Sequence, residues 1–152
     1  MRQKSVEWFL TFPETKAVTI NQKRSEPGAT RQTITIGQHT LVADMSVEEG
    51  GADAGPSPHD LYDAALGACK ALTVLWYANK RGIPVGDIQT SISRDNTQER
   101  NGVYRLAATL SIGGDLSDAQ LKELESVAGK CPVHKLMTAV TTEITTTIQR
   151  LP

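Results

Sequence analysis

Cysteine is scarce in this chain: there are two, Cys69 and Cys131, in 152 residues. Two thiols cannot frame a small disulfide-rich secreted scaffold. Charge of either sign is not in excess either. Sixteen basic and 17 acidic side chains leave a net charge of -1, which argues against nucleic-acid or membrane-surface partners. Aromatics make up only 5%. The first residues, 1–7, carry no apolar signal core. The longest apolar stretch, 58–78, is broken by His59, Asp60, Asp63 and Lys70 and reads as a helix of a soluble protein, not a membrane span. The expected address is the cytoplasm, where thiols are kept reduced. The Gly-rich acidic stretch 47–55 holds no GxGxxG, so no phosphate cradle is expected there. A nucleophile elbow is missing, and Ser57 reads as a helix cap. Cys131-x-x-His134 has metal-ligand spacing but no second ligand pair beside it, so no metal is expected.

What is there suits one domain over 1–152, with 39% hydrophobic residues to fill a core. Residues 1–12 alternate at Val6, Trp8, Leu10 and Phe12 and suit either a strand or an irregular segment, while 16–21 read as a short strand and 25–28 as a turn. Two β-rich runs, 32–36 and 39–44, flank Gly37-Gln38, a two-residue hairpin signal. A long helix follows. Ser57 suits its cap, Pro58 its first position, Asp60 and Asp63 its positive end, and Lys80 and Arg81 its negative end, with Gly82 and Pro84 stopping it. It should span roughly 36 Å. Its circumference is apolar nearly all round, which predicts burial on all sides and hence a second subunit, a homodimer.

Two alternating runs, 87–94 and 104–112, flank Asn101-Gly102, a hairpin signal. Ser117 with Gln120 caps a second helix whose stripe is Leu121, Leu124, Val127 and Ala128. A brief helical turn follows Cys131-Pro132, and the Thr-rich tail, 140–148, reads as a closing strand. The order βββ-α-ββ-α-α-β has no repeating βαβ unit, so the class is α+β: an antiparallel meander and a hairpin with a long central helix and a second helix.

On local chemistry the cysteines differ. Cys69 lies mid-helix, where it reads as a small buried hydrophobe. Cys131 precedes a helix start, where backbone N–H groups favour a thiolate, and His134 stands near in sequence. That makes Cys131 the more reactive thiol, or else a plain cap residue.

The motifs Gly50-Gly51-x-x-x-Gly55-Pro56-Ser57-Pro58, Ala64-Ala65-Leu66-Gly67-Ala68-Cys69 and Cys131-Pro132-Val133-His134 resemble the OsmC/Ohr family of osmotically inducible and organic hydroperoxide resistance proteins. The upstream Ile36-Gly37-Gln38-His39-x-Leu41-x-Ala43-Asp44 is similar to its OsmC-like branch. The resemblance implies an intertwined α+β homodimer and a cysteine-based peroxidase of oxidative-stress defence with no metal or organic cofactor. It implies that Cys69 attacks an organic hydroperoxide and that its sulfenic acid forms a disulfide with Cys131. A dithiol reductant, lipoyl-type or thioredoxin-like, would then reopen that bond. It reverses the local ranking of the two thiols. It also implies an Arg from the N-terminal strands beside Cys69, with Arg24 and Arg31 as candidates, and a Glu just after the helix start to hold it. His59 stands at that Glu position here, and Asp60 and Glu49 are the carboxylates nearby in sequence. The alternative on the same scaffold is a non-enzymatic protein that binds a small apolar molecule in the dimer groove.

Overall fold

The structure is a computed structural model and describes residues 18–152. The chain divides into two compact units, Met1–Pro58 and His59–Pro152. The alternating run 1–12 lies outside the described residues.

In the first unit, β1 (Ile20–Arg24), β2 (Gln32–Ile36) and β3 (His39–Ala43) form an antiparallel sheet in the order β1-β2-β3. The first strand begins later than the sequence suggests, at Ile20, because pairing decides it: Ile20 opposes Ile36 and Arg24 opposes Gln32. Ile36 pairs with His39 across the Gly37-Gln38 turn, and Gly37 takes the positive φ of 59° that this tight turn needs. Beyond β3, Asp44 organises the Gly-rich loop. Its carboxylate accepts hydrogen bonds from the Thr30 hydroxyl (2.5 Å) and from the backbone N–H groups of Met45 (2.9 Å), Ala52 (3.3 Å) and Ala54 (3.1 Å). The Thr30 bond is the main reason its pKa falls below the ordinary 3.8.

The second unit is built on α1 (Pro58–Arg81), with β4 (Val85–Asp95), β5 (Arg105–Gly114), α2 (Asp118–Ala128) and α3 (Pro132–Thr138). β4 and β5 pair antiparallel, from Ile88 opposite Ile112 to Asp95 opposite Arg105. The loop between them is longer than a two-residue turn. It contains a short 3₁₀ turn (Glu99–Asn101), and Gly102 follows as its left-handed cap. α2 carries the expected capping box: the Ser117 hydroxyl accepts from the Gln120 N–H (3.3 Å), and the Ser117 N–H donates to the Gln120 side chain (2.9 Å).

Gly67 brings α1 and β4 together. A Cβ there would meet Ile92 Cγ1 at 3.1 Å and Thr90 Cγ2 at 3.5 Å, so the missing side chain sets the helix-to-sheet distance. Further along, Val74, Ala78, Ile83, Leu124 and Ala128 form a buried cluster, flanked by Tyr77, Ile88, Leu110 and Ile112.

One expectation is corrected, the closing strand over 140–148. Within a single chain, α1 leaves part of its surface open. Its buried stripe is Asp63, Leu66, Gly67, Lys70, Val74 and Ala78, whereas Tyr62, Leu72 and Trp76 are exposed. One chain offers α1 a sheet and a second helix on one side, and the 3.6-residue repeat turns the remaining apolar positions outward. The tail 140–148 forms no strand in this chain. Val140, Ile144 and Ile148 are exposed there, and a strand needs a neighbour to satisfy its backbone groups.

Candidate active site

Cys69 follows Gly67 by two positions and therefore leaves the sheet-facing stripe for the side of α1 that meets the start of α3. Cys131 is the N-cap of α3, with extended backbone (φ -63°, ψ 142°) and Pro132 at the first helical position. This cap brings the two thiols together. The Val133 N–H donates to Cys69 Sγ (3.5 Å) and the His134 N–H donates to Cys131 Sγ (3.4 Å). Both cysteines are free thiols. Successive amides of one short turn thus serve one sulfur each.

The sulfurs differ in access. Cys131 is fully buried, whereas Cys69 is half-buried. Burial is the main influence on the Cys131 thiol and pushes its pKa above the ordinary 9.0. The His134 N–H and the Lys70 charge pull the other way, and Cys69 adds to the rise. At Cys131 the cost of desolvating a thiolate thus works against the capping amide.

Lys70 is the residue that sequence reasoning missed. Its side chain enters the interior, where it is only 7% exposed. Nζ donates to the Ala128 carbonyl (3.0 Å) and lies 3.3 Å from His134 Nδ1. An Nδ1 that accepts from a lysine places the imidazole proton on Nε2. Among the described residues Lys70 forms no ion pair. The signal was present in the sequence as a lone lysine beside Cys69 in an apolar helix, where it reads as an interruption and not as part of a site.

The residues expected to support Cys69 are distributed otherwise. Arg24 ends β1 and Arg31 stands just before β2, so both belong to the first unit, whereas the cysteines belong to the second. His59 pairs with Glu99, its Nε2 2.9 Å from Glu99 Oε1. Asp60 pairs with Arg94, a residue not singled out from the sequence. Arg94 Nε also donates to Asp63 Oδ2 (2.6 Å), and the Tyr104 hydroxyl donates to Asp63 Oδ1 (2.9 Å). Burial first, and Asp63 second, push Tyr104 up to about 12. Glu49 stays within its own turn, where its carboxylate accepts from the Ser46 N–H (3.2 Å) and its N–H donates to the Ser46 hydroxyl (3.3 Å). Among the described residues no cluster of three His, Cys, Asp or Glu side chains could hold a metal ion, and no helix is long and apolar enough to cross a membrane.

A groove of about 800 Å³ opens on this site, lined by Tyr62, Leu66, Lys70, Tyr104, His134 and Met137 among others. It lies between α1, β5 and α3.

Two free thiols served by one helix start, on an α+β scaffold, make up the candidate site. The model of the OsmC-like protein family matches residues 50–147, and the chain belongs to that family. Solved structures share the fold. An OsmC-like protein from Mycoplasma pneumoniae is 21% identical, with 82% of this chain and 89% of that one covered at a TM-score of 0.65. An organic hydroperoxide resistance protein OsmC from Legionella pneumophila is 20% identical, with 82% and 90% covered at 0.58. The organic hydroperoxide resistance protein OhrB of Bacillus subtilis is 21% identical, with 82% and 92% covered at 0.54. Curated protein sequences yield no match.

Proposed function

We propose that this protein is a thiol peroxidase that reduces organic hydroperoxides in oxidative-stress defence. The observation that carries the reading is the meeting of Cys69 and Cys131, distant in sequence, at the start of α3, where the successive N–H groups of Val133 and His134 donate to one sulfur each. The difference in access supports their roles. The half-buried Cys69 thiolate attacks the terminal oxygen of the hydroperoxide, the O–O bond breaks, and the alcohol leaves with a proton. Cys131, too buried to meet a peroxide first, then attacks the sulfenic sulfur of Cys69. The S–S bond forms, the S–O bond breaks, and water leaves. A small-molecule or protein dithiol, lipoyl-type or thioredoxin-like, restores both thiols by exchange.

The outward apolar residues of α1 and the exposed apolar positions of the tail support a homodimer, in which a second copy covers what one chain leaves open. Arg24 and Arg31 remain the candidates for the cation beside Cys69, with Asp60, His59 or Glu49 as supports. Asp60 already has Arg94 as a partner, which weakens it for that role. Stopped-flow mixing of reduced protein with cumene hydroperoxide and dihydrolipoamide tests the reading. Catalytic peroxide loss is expected. Absence of peroxide loss with either lipoyl-type or thioredoxin reductant, while the thiols stay reduced, would overturn it.

The groove beside Lys70 and Tyr104 supports a second reading, a small-molecule binding protein on the same scaffold. Native mass spectrometry of the purified protein distinguishes the two: a retained organic ligand together with inert thiols favours binding.

A further inference from the structure

We infer that Lys70 is the built-in counter-charge of the cysteine pair, a positioning residue whose ammonium stabilises the thiolate form of Cys131. The inference deepens the peroxidase reading, on which it rests for the use made of that thiolate, and it assigns the role to a residue of the second unit itself.

The geometry has three parts. Lys70 is the neighbour of Cys69 on α1 and is buried. Its Nζ is held on one side by the Ala128 carbonyl (3.0 Å), which closes α2 just before Cys131, and on another by His134 Nδ1 (3.3 Å). His134 in turn gives its backbone N–H to Cys131 Sγ (3.4 Å). Lys70 is therefore fixed to the residues on either side of Cys131 in sequence.

Its partners are neutral acceptors, and no carboxylate among the described residues pairs with it. A buried cation without a counter-charge is costly, and so is a buried thiolate. Placed together, each offsets the cost of the other. The Lys70 charge acts on Cys131 in the direction of thiolate, against the larger effect of burial. In the resolving step Cys131 gives up its proton, its sulfur forms the S–S bond, and the hydroxide displaced from the Cys69 sulfenic acid takes up a proton as water. Lys70 stays protonated throughout and lowers the barrier only by its charge. His134 keeps Nζ in place.

The test isolates Cys131 in a Cys69→Ser background and follows its thiolate absorbance at 240 nm against pH. The other titratable or charged groups around Lys70 are His134 on α3, Tyr104 just before β5, Arg105 on β5, and Lys122 and Glu125 on α2, all kept intact. Lys70→Gln, which keeps a donor for the Ala128 carbonyl, is expected to move the thiolate midpoint up by about one pH unit or more, the usual effect of removing a near counter-charge. Lys70→Arg is expected to restore most of that shift. A midpoint that is the same for Lys, Gln and Arg would overturn the inference, since a purely structural lysine predicts lost stability without a charge-dependent midpoint.

A second measurement keeps Lys70 in place. In the Cys69→Ser protein, the NMR signal of the Lys70 ε-group is expected to show an inflection at the Cys131 midpoint that is missing when Cys131→Ser is added. No such inflection would equally overturn the proposal. Neither measurement uses peroxide. An inert wild-type protein would therefore defeat the peroxidase reading alone, and an unchanged titration in an active enzyme would defeat the role of Lys70 alone.

Discussion

The N-terminal end and the middle of α1 each carry buried charge, and they settle it in opposite ways. At the N-terminal end, Asp63 is nearly inaccessible but receives both Arg94 Nε and the Tyr104 hydroxyl, with Asp60 sharing the same guanidinium. Opposite charges meet there, and the result is a clamp between helix and hairpin. Two turns on, Lys70 is equally inaccessible and has only a carbonyl and an imidazole for partners. A charge matched by a carboxylate is static. A charge without a carboxylate can favour the ionised form of Cys131. The same helix thus keeps structural and chemical polarity apart by giving its N-terminal end counter-ions and its middle sulfur.

Variants in the two regions should therefore fail differently. The largest effect is expected from Cys69→Ser, which should abolish hydroperoxide turnover in a coupled reductant assay while leaving the thermal midpoint nearly unchanged. Wild-type activity in that variant would end the mechanism. Cys131→Ser should allow a single turnover and then oxidise Cys69 to the sulfinic acid, visible as two added oxygens in the intact mass. At the N-terminal end, Asp63→Ala should cost about 2 kcal/mol in urea unfolding by orphaning the Tyr104 hydroxyl and part of Arg94, with the thiol alkylation rate kept. If it abolished alkylation instead, the separation of the two regions would be wrong.

Alkaline pH should expose both regions in sequence. Cys131 and Tyr104 have folded-state pKa values raised above their ordinary 9.0 and 10.0, Tyr104 to about 12. The protonated form is thus favoured by folding. Its contribution is full below the ordinary values and is lost as pH rises through the folded ones. Urea midpoints measured from pH 8 upward should fall first with the thiol and then with the phenol, and Cys131→Ala should remove the earlier loss. The smallest effect is expected at the exposed His59–Glu99 pair, where Glu99→Gln should leave stability and turnover unchanged within error.

The sequence made α1 legible because its ends are written locally: Pro58 and Arg81 bound the helix where the capping and stop residues placed them. The Gly37-Gln38 turn, the Ser117 capping box and the Cys131 cap are likewise short-range and were readable. What depended on distant partners was not. β1 took its limits from pairing with β2, and the tail 140–148 remained unpaired although its alternation suits a strand. Of the site, the two cysteines were visible through their motifs. Lys70 was not, because its meaning comes from Ala128 and His134, which only the packing of α2 and α3 against α1 brings near. Arg94 was missed for the same reason, with both its carboxylates on another element.

In the proposed mechanism Cys69 and Cys131 are one redox pair. Adding one equivalent of cumene hydroperoxide to the fully reduced protein and mapping the unreduced proteolytic peptides by mass spectrometry tests this pairing. A single species is expected in which the Cys69 and Cys131 peptides of one chain are joined, with both thiols lost and cumyl alcohol formed in equal amount. Recovery of both peptides with free thiols, or of Cys69 oxidised while Cys131 stays reduced beside it, would contradict it.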